Sequence, residues 1–168
     1  MFKEVEIKEL QFNPFTKIGN EWMLITAGTK EKFNTMTASW GGLGVFWGVN
    51  TVTVYIRPQR YTKKFVDTND TFTIAFFDEK YKKALGLCGS VSGRDTDKVK
   101  EAGLTPYFVD DTAAFEEASM IMVCKKLYHH TMSPEDFDAK ENDAKIYKDK
   151  DYHTIYIAEI KKVLEKIK

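Results

Sequence analysis

Six stretches of this chain concentrate apolar side chains, many of them β-branched or aromatic, between short polar interruptions. They run from Trp22 to Ala27, Phe33 to Trp40, Thr51 to Arg57, Thr71 to Phe77, Ser119 to Tyr128 and His153 to Val163, and each predicts a strand. Helical spacing of apolar residues is confined to three short pieces, Tyr61 to Asn69, Glu79 to Leu87 and Thr96 to Ala102, with Gly86 or Gly103 marking an end. Strands do not alternate with long helices, so the order favours an antiparallel barrel over a parallel doubly wound sheet. The segment from Pro134 to Asp151 is dominated by Asp, Glu and Lys and reads as an exposed excursion before the last strand.

Composition narrows the class. The 168 residues carry 25 Lys and Arg against 25 Asp and Glu, and 43% are hydrophobic, which predicts one domain over residues 1–168, without repeats. Zero net charge gives no global field to draw in nucleic acid. No apolar run reaches the roughly 18 to 20 residues of a membrane span, and the opening MFKEVEIKEL mixes charge with hydrophobes, so a cytoplasmic protein without a membrane anchor is expected. Cys88 and Cys124 lie outside any metal-ligand spacing and are expected to be reduced, half-buried packing residues. His129 and His130, as strand neighbours, point to opposite faces and do not chelate one ion; no metal site is expected.

Four stretches carry candidate chemistry. In Asn34-Thr35-Met36-Thr37-Ala38-Ser39-Trp40-Gly41-Gly42-Leu43-Gly44 the side chains shrink and run into three glycines. Such a wall lets a flat ligand approach the backbone, with the hydroxyls of Thr35, Thr37 and Ser39 on one face; a solvated strand face with a Gly-rich turn is the plainer alternative. Arg57-Pro58-Gln59-Arg60-Tyr61-Thr62-Lys63-Lys64-Phe65 gathers cations at the start of a helix, with Thr62 placed as its N-cap. It suits an anion such as phosphate, or a solvated basic turn. Gly89 to Lys98 is a turn-rich loop ending in a helix capped by Asp95 or Thr96, from which Arg94 and Lys98 reach towards an anion. Tyr152 to Ile160 alternates, placing His153, Ile155 and Ile157 on one face and Tyr152, Thr154, Tyr156 and Ala158 on the other. No nucleophile, histidine and acid can be assembled into a triad. For Trp40 and Trp47, core packing is favoured over a dimer contact or a shield for a ligand ring.

Taken in order, Asn34 to Gly41, Tyr55-Ile56-Arg57-Pro58 with Arg60-Tyr61-Thr62, Ser92-Gly93-Arg94-Asp95 with Asp97-Lys98, and His153 to Ile160, the chain resembles the flavin reductase-like, FMN-binding split-barrel family, most of all its flavoredoxin-like branch. The likeness spans roughly Phe15 to Lys162. It implies a mainly β fold, a six-stranded antiparallel Greek-key split barrel with short helices. It further implies a homodimer with one FMN per subunit in a groove near the dimer interface. Under it Thr35, Met36, Thr37, Ala38 and Ser39 lie along the isoalloxazine ring and ribityl chain. Arg57, Arg60, Tyr61, Thr62 and Lys63 contact the phosphate, and Ser92, Arg94 and Lys98 approach from another side. Tyr156 lies near the flavin with His153, a candidate for a catalytic role; Ala158 departs from the family's usual glycine. The implied activity is an oxidoreductase passing electrons from NAD(P)H through FMN to an acceptor. Its alternatives are a flavoredoxin-like electron-transfer protein reduced by a protein partner and a flavin-binding module without turnover.

Overall fold

In the computed structural model, which describes residues 1–167, all six predicted strands are present and antiparallel. They are β2 (Met23–Gly28), β3 (Phe33–Ala38), β5 (Val49–Ile56), β6 (Thr71–Phe76), β9 (Met120–Thr131) and β10 (Thr154–Lys166). Two further strands, β1 (Phe2–Val5) and β4 (Gly41–Phe46), complete an eight-stranded sheet of order β3-β2-β6-β9-β10-β5-β4, with β1 paired to β10. The glycines of β4, for which a turn was the plainer alternative in sequence, are a strand because β5 pairs with them in full register. Between the two, Trp47 and Gly48 both take positive φ (51° and 76°), the conformation of a two-residue hairpin whose twist matches its strands. A short hairpin of β7 (Pro106–Val109) and β8 (Thr112–Phe115) stands apart from the main sheet.

Chain connectivity forces the sheet to curl. In a flat sheet the outermost strands β3 and β4 would lie roughly 29 Å apart. Only Ser39 and Trp40 join them, a link that reaches about 10 Å. The two edges therefore meet at this corner, and a Cβ on Gly41 would lie 3.0 Å from Met23 Cε of β2. The barrel splits along β10, whose first half pairs with β5 and whose last residues pair with β1. Between those halves its register against β9 shifts at Ile160/Lys162, where an extra residue bends the strand.

Alternation divides the core in two. Met23, Ile25, Phe72, Ile74, Phe76, Met120, Met122 and Tyr156 fill the barrel interior. Their neighbours Leu24, Ala75, Ile121 and Val123 face a second cluster. That cluster is closed by the β7–β8 hairpin and by Leu85 and Cys88 of helix α3 (Lys82–Ser90). The remaining helices are α1 (Pro14–Thr16), α2 (Tyr61–Thr68), α4 (Lys98–Glu101) and α5 (Glu141–Ile146). Helix α2 buries Thr62, Phe65 and Val66, spaced i, i+3 and i+4, against β2 and β3. Cys88 and Cys124 are fully buried and free rather than half-buried, and burial pushes both thiols well above their ordinary range. Among the described residues, no helix is long and apolar enough to cross a membrane.

Three further sequence expectations fail here. Trp40 and Trp47 are not core residues: they are 50% and 68% exposed, held at the β3–β4 corner and the β4–β5 turn. Thr62 does not cap α2; the helix begins at Tyr61 with Arg60 in the cap position, and the Thr62 hydroxyl accepts a 2.8 Å bond from Asn34 Nδ2 of β3. The cap of α4 is Asp97, not Asp95 or Thr96, because its carboxylate is the one that accepts from Lys100 N.

Candidate functional site

Two adjoining cavities meet at Arg57 and Arg60. The first, about 220 Å³, is a slot walled by Met36, Thr37, Ala38, Ser39 and Trp40 on one side and by Tyr55 and His153 on the other. The second, about 490 Å³, is lined by Gln59, Ser90, Val91, Ser92, Lys98, Asp149 and Asp151. A larger cleft of about 780 Å³ opens beyond Lys98, but its wall mixes lysines with Glu31, Asp95 and Asp97 and includes none of the slot residues.

The fold sets the slot wall. Strand β3 ends at the corner where β4 begins, so small side chains and a backbone turn are presented where the barrel edges meet. Two of the three hydroxyls expected to point at a ligand are already engaged. Thr35 is fully buried and shares a 2.8 Å bond with Thr26, its partner on β2; Thr37 donates to Leu85 O of α3 at 2.5 Å. Ser39, without a neighbouring strand on that side, remains at the mouth.

Charge is concentrated at the junction. Arg57 donates to Asp151 Oδ2 at 2.5 Å and to Ile146 O at 3.2 Å, and its guanidinium lies 5.2 Å from the Tyr147 ring centre. Arg60 donates to Gly89 O at 2.7 Å. Burial, and then the neighbouring Arg57, pulls the Arg60 pKa down, as expected of two guanidiniums sharing one pocket. Lys98 is also buried, its Nζ donating to Cys88 O and Val91 O, and burial lowers its pKa. Three cations thus face two carboxylates, Asp149 and Asp151, which leaves the pocket one positive charge in excess.

The segment 134–151 is not a bare excursion. Tyr147 is buried and its hydroxyl lies 2.8 Å from His153 Nδ1, while Asp151 holds both Arg57 and Gln59. Asp151 Oδ1 is buried without a hydrogen-bond partner, beside the anion pocket. Sequence reasoning missed Tyr147 and Asp151. The one signal available was that clustered arginines need a counter-charge, and Pro134 to Asp151 is rich in it.

Of the residues named from sequence, Met36, Thr37, Ala38, Ser39, Arg57, Arg60, Ser92, Lys98 and His153 come together around the two cavities. Arg94 and Tyr61 stack against each other at 4.6 Å, and Arg94 donates to Gln59 O, so they brace the turn from outside. Lys63 pairs instead with Asp67 along α2. Tyr156 points into the barrel, fully buried, and donates to Asp67 Oδ1 at 2.5 Å. Thr35, Thr62, Lys63 and Tyr156 therefore lie off the cavities: Lys63 is taken by Asp67 of its own helix, and the polar atom of each of the others by a neighbouring element.

The comparisons with known proteins agree with this architecture. A model of the flavin reductase like domain matches residues 15–166. No curated protein matches. Among solved structures, an FMN-binding domain of a flavin reductases-like enzyme from Shewanella baltica superposes with a TM-score of 0.70 at 18% identity, covering 98% of this chain and 77% of that one. Flavoredoxin of Desulfovibrio vulgaris gives 0.66 at 23% identity over 86% of this chain and 69% of its own. A Streptomyces globisporus NADH:FAD oxidoreductase gives 0.64 at 14% identity, over 87% and 74%. The split barrel, its corner and the extent of the match together make this chain a member of the flavin reductase like family.

Proposed function

We propose that the protein binds FMN and works as an oxidoreductase, passing electrons from NAD(P)H to an acceptor. The observation that carries this reading is the placement of Arg57 and Arg60 where a narrow slot opens into an anion pocket. A flat ring with a phosphate-terminated tail matches that outline. Met36 to Trp40, Tyr55 and His153 would flank the ring, and Arg57, Arg60, Lys98, Ser90 and Ser92 would hold the phosphate. The buried, unpartnered Asp151 Oδ1 supplies an acceptor for a hydroxyl of the tail. FMN, when bound, supplies the redox chemistry, taking a hydride from nicotinamide and releasing its electrons to an acceptor. The chain's own work is to bind, orient and shield. Arg57 and Arg60 would hold the tail, residues of β3 would flank the ring, and His153 stays uncharged because burial, with Arg57 nearby, depresses its pKa to about 4.

Two measurements test this. The protein as purified, or after mixing with FMN and desalting, is expected to show a flavin-type visible spectrum, and NADH with FMN is expected to be consumed in its presence. A protein that retains no flavin and leaves NADH untouched overturns the reading; FMN retention with reduction only by a protein donor replaces the nicotinamide step by a carrier role.

We further propose a homodimer formed through the β4–β5 hairpin. Among the described residues strand β4 is an edge, paired only with β5, and it carries exposed Val45 (72%) beside Trp47, which stacks on Phe46 at 4.4 Å. An exposed edge with apolar side chains is a ready pairing surface. Wild-type protein is expected to sediment as a dimer and Trp47→Asn as a monomer. Asparagine suits the positive φ of that turn, so loss of the dimer there reports the interface and not misfolding. A monomeric wild type removes the proposal.

A further inference from the structure

Six methionines occur in the chain, and the fold sorts them by access. Met23, Met36, Met120 and Met122 belong to the barrel interior and are at most 5% exposed. Met1 stands at the exposed terminus. Met132, just past the end of β9, is only half-buried and lines a cavity of about 520 Å³ that shares Ser39, Trp40, Tyr55 and His153 with the ring slot. The same cavity is bounded by Phe15 and Trp40, 84% and 50% exposed, so small solutes reach the thioether from water.

Met132 is coupled to the site by two bonds. Its N–H donates to His153 O at 3.0 Å, and its Sδ accepts from the Tyr147 hydroxyl at 3.4 Å. That hydroxyl also lies 2.8 Å from His153 Nδ1, and it has one proton to give. A thioether accepts weakly, whereas a sulfoxide oxygen is polar and accepts strongly. Oxidation therefore draws the Tyr147 proton towards residue 132, whichever nitrogen of His153 carries hydrogen. The 3.4 Å gap is too short to hold an added oxygen and an O–H···O contact of about 2.7 Å in line, so one of the two side chains is displaced. Tyr147 in turn touches the cationic junction: its ring centre lies 5.2 Å from the Arg57 guanidinium, and the preceding carbonyl, Ile146 O, accepts from Arg57 at 3.2 Å.

From this geometry we infer that Met132 is a site of reversible oxidation by hydrogen peroxide, and that its sulfoxide loosens the cofactor pocket through Tyr147 and Arg57. The inference rests on the proposed function for the cofactor and for the source of the oxidant: dioxygen that takes two electrons and two protons at a reduced flavin leaves as hydrogen peroxide. In the modification itself the Sδ lone pair attacks one peroxide oxygen, and the O–O bond breaks as the S–O bond forms. The departing hydroxide takes the proton from the transferred oxygen and leaves as water. Sulfur loses two electrons and peroxide gains them. Cys88 and Cys124 do not compete, being fully buried thiols.

The test treats purified protein with hydrogen peroxide, without cofactor, and follows each methionine by peptide mass spectrometry. Met132 is expected to oxidise at least about 10-fold faster than Met23, Met36, Met120 and Met122, with Met1 as the accessible reference. Wild type carrying the Met132 sulfoxide is expected to bind FMN roughly 3- to 10-fold more weakly, the scale of one lost hydrogen bond, and to regain its affinity after treatment with methionine sulfoxide reductases. Met132→Leu is expected to bind FMN equally before and after peroxide. Oxidation of Met132 no faster than that of the interior methionines, unchanged affinity after its complete oxidation, or the same loss in the Leu variant overturns the inference. If the Leu variant does not fold, the reductase treatment of wild type decides, and an affinity that does not return overturns it. A protein that binds no FMN sinks the proposed function, while the rate of Met132 oxidation still decides the modification site; FMN binding with an inert Met132 sinks the modification alone.

Discussion

Arg57→Ala is expected to weaken FMN binding by about 1.5 to 3 kcal/mol, roughly 10- to 150-fold, measured by flavin fluorescence titration. The variant loses a charge-assisted donor to the phosphate. It also leaves Asp151, which Arg57 now holds at 2.5 Å, as a carboxylate facing the same pocket with only the Gln59 amide bonded to it. The two contributions separate in a second variant. Arg57→Ala with Asp151→Asn removes the uncompensated charge, so it is expected to recover part of the affinity, while Asp151→Asn alone keeps Arg57 in place. The Asp151 carboxyl is held below its usual range by its bonds from Arg57 first and Gln59 next; the variant loses the first and keeps the second, and a carboxylate so bonded is ionised at neutral pH, so its charge is present there. Affinity unchanged in Arg57→Ala would take this guanidinium out of the phosphate site.

What could be read from sequence follows the range of the interactions. Strands β2, β6 and β9 were legible because each is made of residues that must leave water, so β-branched and aromatic density alone marks them. Strand β4 was not, since glycine has no strand preference and only its pairing with β5, set by the Trp47-Gly48 turn, makes it one. The cationic turn at Arg57 and Arg60 was visible because its charges are neighbours in the chain. Its counterpart was hidden: Asp151 lies 94 residues away, and nothing local distinguishes it from the other acids of its segment. Thr62 was misread for the same reason. A threonine before a helical run has the pattern of a cap, but Asn34, 28 residues upstream on another strand, takes its hydroxyl instead.

That Asn34 contact gives the second large effect. Gly93→Ala is expected to lower stability by about 1 to 3 kcal/mol, the cost of overpacking, and so to lower Tm by roughly 2 to 12 °C. The φ of Gly93 is not positive, so backbone strain is not the cause. The added methyl would overlap Asn34 Oδ1 and lie 3.0 Å from its Cγ, and Asn34 is buried, with Nδ2 already bonded to Thr62 Oγ1 and to Thr35 O. The carboxamide has no free direction in which to turn without breaking the bond to Thr62. That bond ties β3 to the first turn of α2, next to Arg60, so the same substitution is expected to loosen FMN binding as well as folding. Gly42→Ala is the control: a Cβ there meets nothing within 4 Å, and its Tm is expected to stay within about 2 °C of wild type. Differential scanning calorimetry of both variants checks the pair. Should Gly93→Ala melt with wild type and bind FMN as tightly, the loop over Asn34 has room that this packing denies it, and the link from β3 through Thr62 to Arg60 does not position the site.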